Sequence, residues 1–460
     1  MITQLRVQNF KSWQDTEPMP FAPLTALFGA NSSGKTALLQ LLLMLKQTIE
    51  SADRSRVLHT GDEKTYVDLG TFSDIIYNHQ LSGKLAFTIG WTPSETLHIA
   101  DPEKAQDQTL FSIEKLALDA VTSLVSDTIS VNQFNYRFTS GETTYSFGMR
   151  RKEAADGQKE YDLTADNYPL KRYRGRQWPL PAPIKSYGFP DQVKAYYQNV
   201  EFVSELVLAF EQLFQGIYYL GPLREYPRRS YVWAGDEPGD VGRRGERAVQ
   251  DLLATHKRSA DIKRPGKRGL RTVEKRVAEW LHDLELLDSF ALKLIAENRK
   301  EYEVKVRRSP ETPEVLITDV GFGVSQILPV LVLCYYAPKG STLILEQPEI
   351  HLHPAAQAGL ADVFIEVIKN RNIQIIIESH SEHLLHRLQR RIAEGELPSD
   401  QAALYFTKIE NGRSNLQPLR LDLFGNITNW PAGFFGDPMG DLVAMTEAEM
   451  RRRIDAKAAQ

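Results

Sequence analysis

Gly29-Ala30-Asn31-Ser32-Ser33-Gly34-Lys35-Thr36 is the stretch on which the reading of the fold turns. It satisfies the pattern GxxxxGK(S/T), and its flanks supply the context that pattern needs. Leu24 to Phe28 is a short apolar run suited to a buried strand, and Ala37 to Gln47 is a solidly apolar helix start. Strand, glycine loop and helix bring backbone N–H groups to a helix N-terminus, where they cradle phosphate oxygens. Gly29 and Gly34 permit the turn, Lys35 neutralises β and γ oxygens, and Thr36 reaches magnesium. Asn31, Ser32, Ser33 and Ala37 complete the candidate phosphate-binding set.

A magnesium nucleotide needs a second anchor on a neighbouring strand, and Thr342 to Glu346 is an apolar run ending in a carboxylate. Glu346 is therefore the metal-side candidate beside Thr36. Both Thr342–Leu345 and Ile373–Ile377 are continuously apolar, as parallel strands covered on both faces require. After Glu346, the run Gln347-Pro348-Glu349-Ile350-His351-Leu352-His353-Pro354 clusters charged and imidazole groups at the C-terminal edge of the expected sheet, where ligands bind in open α/β folds. His351 and His353 read either as chemistry or as strand-end packing and capping. Their alternation with Leu hints at zinc, but no further ligands stand at suitable spacing. Asp319 to Gln326 places Gly321, Gly323 and Ser325 at the start of an apolar helix, a second anion site by the helix-terminus argument. Ile375 to Ser381 ends a buried strand in a polar group whose His380 is in reach of a γ-phosphate.

The 460 residues carry 55 Lys plus Arg against 59 Asp plus Glu, a formal net charge of -4, and are 42% hydrophobic. That is the balance of a soluble globular protein and excludes a histone-like cation or an acidic disordered chain. Cys334 is the single cysteine, so a disulfide framework is excluded and a reducing compartment, the cytoplasm, is expected. No apolar run approaches the roughly 20 residues of a membrane-spanning helix, and the opening MITQLRVQNFKSW has no export leader.

Short alternating runs at Lys84–Ile89, Ile113–Leu118, Phe134–Phe138 and Thr144–Met149 predict an inserted β-rich lobe. Apolar spacing predicts helix across Asp191–Phe214. His256–Arg276 holds nine Lys or Arg against Asp261 and Glu274 and reads as a mobile, locally basic loop. Strands are predicted at Tyr302–Val306, Glu314–Ile317 and Ala403–Lys408, and a short helix capped by Thr446 and Glu449 near the end. Gly221 to Arg229 presents three arginines on a Pro-fixed turn, read as surface ion pairing. Phe10 reads equally as an adenine-stacking or a core residue, and Trp430, Phe434 and Phe435 as a hydrophobic anchor. The expected division is an ATPase core over 1–48 and 216–409, the lobe with its closing helix over 49–215, and a small C-terminal domain over 410–460.

In order and kind, these segments resemble the ATP-binding-cassette ATPases of the SMC, RecF and OLD group. GANSSGKT resembles their Walker A loop, DVGFGVSQ the signature motif, LILEQPEIHLHP the Walker B strand with its D-loop, and IIESHS the switch-histidine strand. The tail WPAGFF resembles the small C-terminal domain of bacterial stand-alone OLD-like AAA-family ATPases. The resemblance implies an α/β fold, an ABC-type P-loop NTPase head with a mixed β-sheet flanked by helices, plus the inserted β-rich lobe. It also implies ATP and Mg2+ as cofactors and ATP hydrolysis as the activity, with Lys35, Glu346, Gln347 and His380 as the catalytic set. Lys35, Thr36 and Glu346 of one subunit would hold Mg-ATP while Gly323, Ser325 and Gln326 of a second cover it, so a homodimer or higher oligomer is expected. The family usually has a glutamate after the Walker B acid; Gln347 stands there, and an amide cannot take a proton from water. Slow hydrolysis follows, or Glu349, Glu378 or His380 substitutes.

Three functions fit the motifs. The first is an ATP-driven switch in bacterial antiviral defence, acting on a separate effector protein because the residues after Ser381 are too few for a Toprim nuclease domain. The second is a DNA repair or chromosome-maintenance ATPase of RecF or SMC type, with DNA bound by the His256–Arg276 loop and by Arg387, Arg390 and Arg391; the bland reading of those charges is a solvated loop and helix face. The third, a membrane transporter motor, is disfavoured by the roughly 290 residues between Lys35 and Ser325, and no membrane partner is expected.

Overall fold

The computed structural model describes residues 1–101, 108–153, 159–175, 178–237, 239–256, 261–264, 266–296, 299–431, 434, 443–450 and 452. Strand Leu24–Gly29 lies inside a six-stranded sheet ordered Ile217–Leu220, Thr342–Glu346, Gln374–Glu378, Leu24–Gly29, Ala402–Glu410, Arg413–Leu419. The first five strands run parallel and the last antiparallel. Strict alternation sorts their side chains into two cores. Leu24, Ala26, Phe28, Leu343, Leu345, Ile375 and Ile377 enter one, with residues of helices Phe322–Tyr336, Pro354–Arg371 and Glu382–Ala393. Leu27, Ile344, Ile376 and Tyr405 enter the other. The fold is thus α/β, a mixed sheet flanked by helices.

Helix Lys35–Glu50 fills the second core. Leu38, Leu39, Leu41, Leu42, Leu43, Met44 and Leu45 are all within 1% of complete burial, which explains why this helix is apolar around its whole circumference. Beyond it lies an eight-stranded antiparallel sheet that contains the expected inserted strands. The chain's first strand, Ile2–Phe10, belongs to that sheet, with Val7 opposite Phe87 of Lys84–Trp91. Leu116–Val125, Thr128–Ser140, Thr143–Glu153 and Lys159–Asp166 extend it outward. Sheet pairing therefore crosses the boundaries expected at 48 and 410, since Arg413–Leu419 completes the other sheet.

Several local expectations are corrected. The run Ile113–Leu118 is two strands, because Ile113 pairs with Leu97 and Leu116 with Trp91. The helix expected over Asp191–Phe214 is split into Gln192–Tyr196 and Val203–Gln215. Asn199 accounts for the break: its amide donates to Pro169 O at 2.8 Å and accepts from Lys171 N at 2.9 Å, a tertiary tie that overrides helical spacing. Within the basic segment, Ile262–Lys263 pairs with Leu270–Arg271, and helix Val273–Asp283 begins at the Thr272 cap. Arg276 sits inside that helix, buried against Glu366 at 2.7 Å. Phe10 is wholly buried, so core packing is its role. Phe434 stacks on Phe406 at 4.7 Å as the expected anchor, whereas Phe435 lies outside the described residues. The terminal helix covers 443–450, so Thr446 falls within it and does not cap it. No helix among the described residues is long and apolar enough to cross a membrane.

Because helix Lys35–Glu50 is packed on every side, Leu42→Ala should cost about 2–5 kcal/mol through lost burial and the cavity left behind. Leu81→Ala, at a side chain 48% exposed, should stay within about 0.5 kcal/mol. Thermal melting of the two variants beside wild type checks the contrast.

Candidate functional site

The loop between Leu24–Gly29 and Lys35–Glu50 is shaped by sterics. Gly29 has φ +140° and Gly34 φ +96°, conformations closed to most L-residues. A Cβ on Gly29 would meet Thr407 O at 2.2 Å, and one on Gly34 would meet Ser414 Oγ at 2.4 Å. Neighbouring groups grip the loop from outside: Ser33 Oγ lies 2.5 Å from Thr407 Oγ1, and Trp13 Nε1 donates to Gly34 O at 2.9 Å. Asn31 and Ser32 remain exposed, and Ala37 is buried in the first helical turn.

Lys35 is only 3% exposed. Its Nζ donates to Gly29 O at 3.0 Å and Ala30 O at 2.8 Å and stands 3.9 Å from Glu378 Oε1. Thr36 Oγ1 donates to Glu378 Oε2 at 2.8 Å. Parallel register sets Glu346 directly opposite Glu378, so two buried carboxylates end adjacent strands beside the Thr36 hydroxyl. Burial pushes the Glu346 carboxyl up to about 7, with the Glu378 charge adding to it and Tyr219 and Arg224 opposing. Burial also raises Glu378 and Glu349, and it lowers the Lys35 ammonium. Paired buried carboxylates next to a hydroxyl are a setting that a divalent cation relieves, so the residues fit Mg2+. Among the described residues no group of three His, Cys, Asp or Glu is placed to hold a metal ion.

The other candidates divide. Gln347 adopts φ +45°, and its N–H donates to Glu378 O at 2.8 Å, which ties the end of one strand to the next. Glu349 Oε1 accepts from Ser379 Oγ at 2.8 Å and His380 N at 2.7 Å. The His380 imidazole is exposed, and partial desolvation with the nearby Lys35 charge holds it below the usual histidine range, hence neutral near pH 7. Gly323, Ser325 and Gln326 do not join this group: among the described residues no hydrogen bond links them to the loop. Ser325 Oγ instead donates to Phe322 O at 2.7 Å, and a Cβ on Gly323 would lie 3.0 Å from His351 O. His351 packs its ring on Phe322, and His353 caps helix Pro354–Arg371, so both take the packing and capping role.

Sequence reasoning missed Trp13, Thr407 and Ser414 at the loop, and Tyr219 and Arg224 at Glu346. Tyr219 OH donates to Glu346 Oε1 at 3.0 Å, and Arg224 Nη2 donates to Glu346 O at 3.2 Å. The surface-pairing expectation for Gly221–Arg229 holds for Arg228 with Glu225 and for Arg229 with Asp319. It is corrected for Arg224, which is 4% exposed. The Gly-Pro turn was the visible signal; what it aimed inward was not.

Raised folded-state carboxyl pKa values make folding favour the protonated forms. The stability they add is complete below about pH 4.5 and is lost as pH rises to about 7 for Glu346. In chelator and without nucleotide, Glu346→Gln should therefore melt higher than wild type at pH 8, by on the order of 1–3 kcal/mol, and the gap should shrink at pH 5. An equal or lower melting temperature at pH 8 contradicts the buried-carboxylate account.

A family described as "AAA ATPase domain" matches residues 1–170 and 245–385, and one described as "Protein of unknown function (DUF3696)" matches residues 397–445. No curated protein matches. Among solved structures, the chain is similar to an SMC head bound to the C-winged helix domain of ScpA, with 13% identity over 92% of this chain and 98% of that one and a TM-score of 0.45. It is similar to the SMC head domain from Thermotoga maritima, with 10% identity over 91% and 99% and a TM-score of 0.41. A third, an SMC head domain with an extended coiled coil bound to the C-terminal domain of ScpA derived from Pyrococcus furiosus, gives 12% identity over 91% and 96% and a TM-score of 0.42. With the first family covering more than half of the sequence, and its loop, helix and acidic strand ends assembled as described, the chain belongs to the AAA ATPase domain family.

Proposed function

We propose that the chain is a cytoplasmic Mg-ATP-dependent switch that hydrolyses ATP slowly, pairs head to tail with a second copy when ATP is bound, and controls a separate effector protein. The observation that carries this reading is the convergence of Lys35, Thr36, Glu346 and Glu378 at the ends of three adjacent parallel strands. Lys35 and the loop amides bind and orient the phosphates. When bound, Mg2+ would supply charge neutralisation to the phosphates, and Thr36 and Glu346 are the residues that would hold it. Gln347 can orient water but cannot accept its proton, which supports a long-lived ATP state. The resemblance of Asp319–Gln326 to a signature motif supports Gly323, Ser325 and Gln326 acting on the nucleotide of a second subunit, with the twofold exchange that symmetry requires.

The resemblance of the WPAGFF tail to bacterial stand-alone OLD-like ATPases supports a place in bacterial antiviral defence. A DNA-maintenance role of RecF or SMC type is less favoured by the charges themselves. Arg264 and Arg271 are engaged with Asp283 and Glu279, Arg276 with Glu366, Arg387 and Arg391 with Asp362, and Arg390 with Glu394. The buried Arg276–Glu366 pair is the one least available to phosphate, since exposed pairs contribute little.

The test is ATP turnover measured beside light scattering. Wild type should dimerise on ATP, turn over slowly and ignore duplex DNA. Lys35→Ala should lose ATP binding and dimerisation together, and Gln347→Glu should raise turnover by on the order of 100-fold or more. Fast wild-type turnover unchanged by Gln347→Glu contradicts the slow switch, and strong stimulation by DNA favours the maintenance reading.

A further inference from the structure

The segment Gly221–Arg229 is not absorbed by the function just described. It follows strand Ile217–Leu220, which pairs in parallel with Thr342–Glu346 so that Leu220 lies opposite Leu345. Two main-chain hydrogen bonds hold the turn against the neighbouring loop: Gly221 N to Arg243 O and Glu225 N to Arg244 O, both 2.9 Å. Between these ties the side chains part. Leu223 and Tyr226 point to solvent, while Arg224 turns inward and is buried. Gly221 has a steric reason to be glycine, because a Cβ there would approach Tyr219 OH to 2.9 Å. The turn thus leaves room for the phenol and delivers the guanidinium to the same place, the end of the Glu346 strand.

Resting on the ATP-dependent reading above, we propose that Tyr219 and Arg224 are positioning residues for Glu346, holding the metal-side carboxylate and the strand end that carries it. Tyr219 does this through the side chain, donating to Oε1 at 3.0 Å while its ring meets the Tyr66 edge. Arg224 does it through the backbone, donating to Glu346 O at 3.2 Å. Its Nε and Nη1 have no hydrogen-bond partner among the described residues, and Oε2 of nearby Glu349 has none either. A buried guanidinium using one donor of five is poor structural glue. Its position is better explained by the charge and geometry it brings to the acidic strand end. Partners that orient a metal-binding carboxylate typically change metal affinity by 10–100-fold when removed.

The experiment is a magnesium titration of fluorescent ATP-analogue binding to the full-length protein, with the magnesium-free affinity measured in EDTA. Tyr219→Phe keeps the ring and removes only the hydroxyl. It should raise the half-saturating magnesium concentration about tenfold and leave the magnesium-free affinity unchanged. Arg224→Lys should shift it in the same direction by less than Arg224→Gln, with circular dichroism melting confirming that each variant is folded. A merely structural role would lower the melting temperature or weaken both affinities together, and either result with an unmoved magnesium midpoint overturns the proposal. Lys35→Ala runs alongside as the control on the underlying reading: if it binds the analogue as wild type does, the ATP site itself is wrong, whereas normal loss in Lys35→Ala with no shift in Tyr219→Phe sinks only the positioning role.

Discussion

The close approach between the loop Gly29–Gly34 and the strand pair Ala402–Glu410 and Arg413–Leu419 is the constraint on which the rest depends. There is no room for a side chain at Gly29 or Gly34, since Thr407 O and Ser414 Oγ stand within 2.4 Å of where a Cβ would be. The chain therefore turns tightly enough to start helix Lys35–Glu50 directly beneath the strand ends. Lys35 is pulled inward by the same geometry, onto the carbonyls of its own loop and towards Glu378. Glu378 then stands 3.9 Å from one buried ammonium.

Parallel pairing does the second half of the work. Register fixes Glu346 against Glu378 without any side-chain contact being needed to bring them together. Two carboxylates so placed repel each other, and burial sharpens the repulsion, so the polypeptide alone holds them at a cost. That cost is the physical sign of a cation site: a divalent cation is of the right charge to discharge it. Helix Lys35–Glu50, buried between the two sheets, fixes the position of Lys35 and Thr36 beside these strand ends.

Much of this was legible in the sequence. The glycine loop, the apolar strand ending in Glu346 and the strand ending near His380 all lie where local pattern placed them, because each is a short segment whose chemistry and periodicity are self-contained. What could not be read was partnership across distance. Nothing local says that Val7 will lie opposite Phe87, or that Asn199 will be tied to Pro169 and interrupt a helix. Tyr219 carried no signal in the sequence, and Arg224 read as one more surface cation. Their roles come from the neighbour that the fold gives them, and Trp13 and Thr407 reached the loop in the same way.

The most direct test of the account is a crystal structure with Mg2+ and a non-hydrolysable ATP analogue. The account predicts the β and γ phosphates in the loop amides with Lys35 Nζ on them, the metal on Thr36 Oγ1 facing Glu346, and Ser325 of a second copy against the same nucleotide. Nucleotide bound away from the loop, or a metal that leaves both Thr36 and Glu346 untouched, would contradict it.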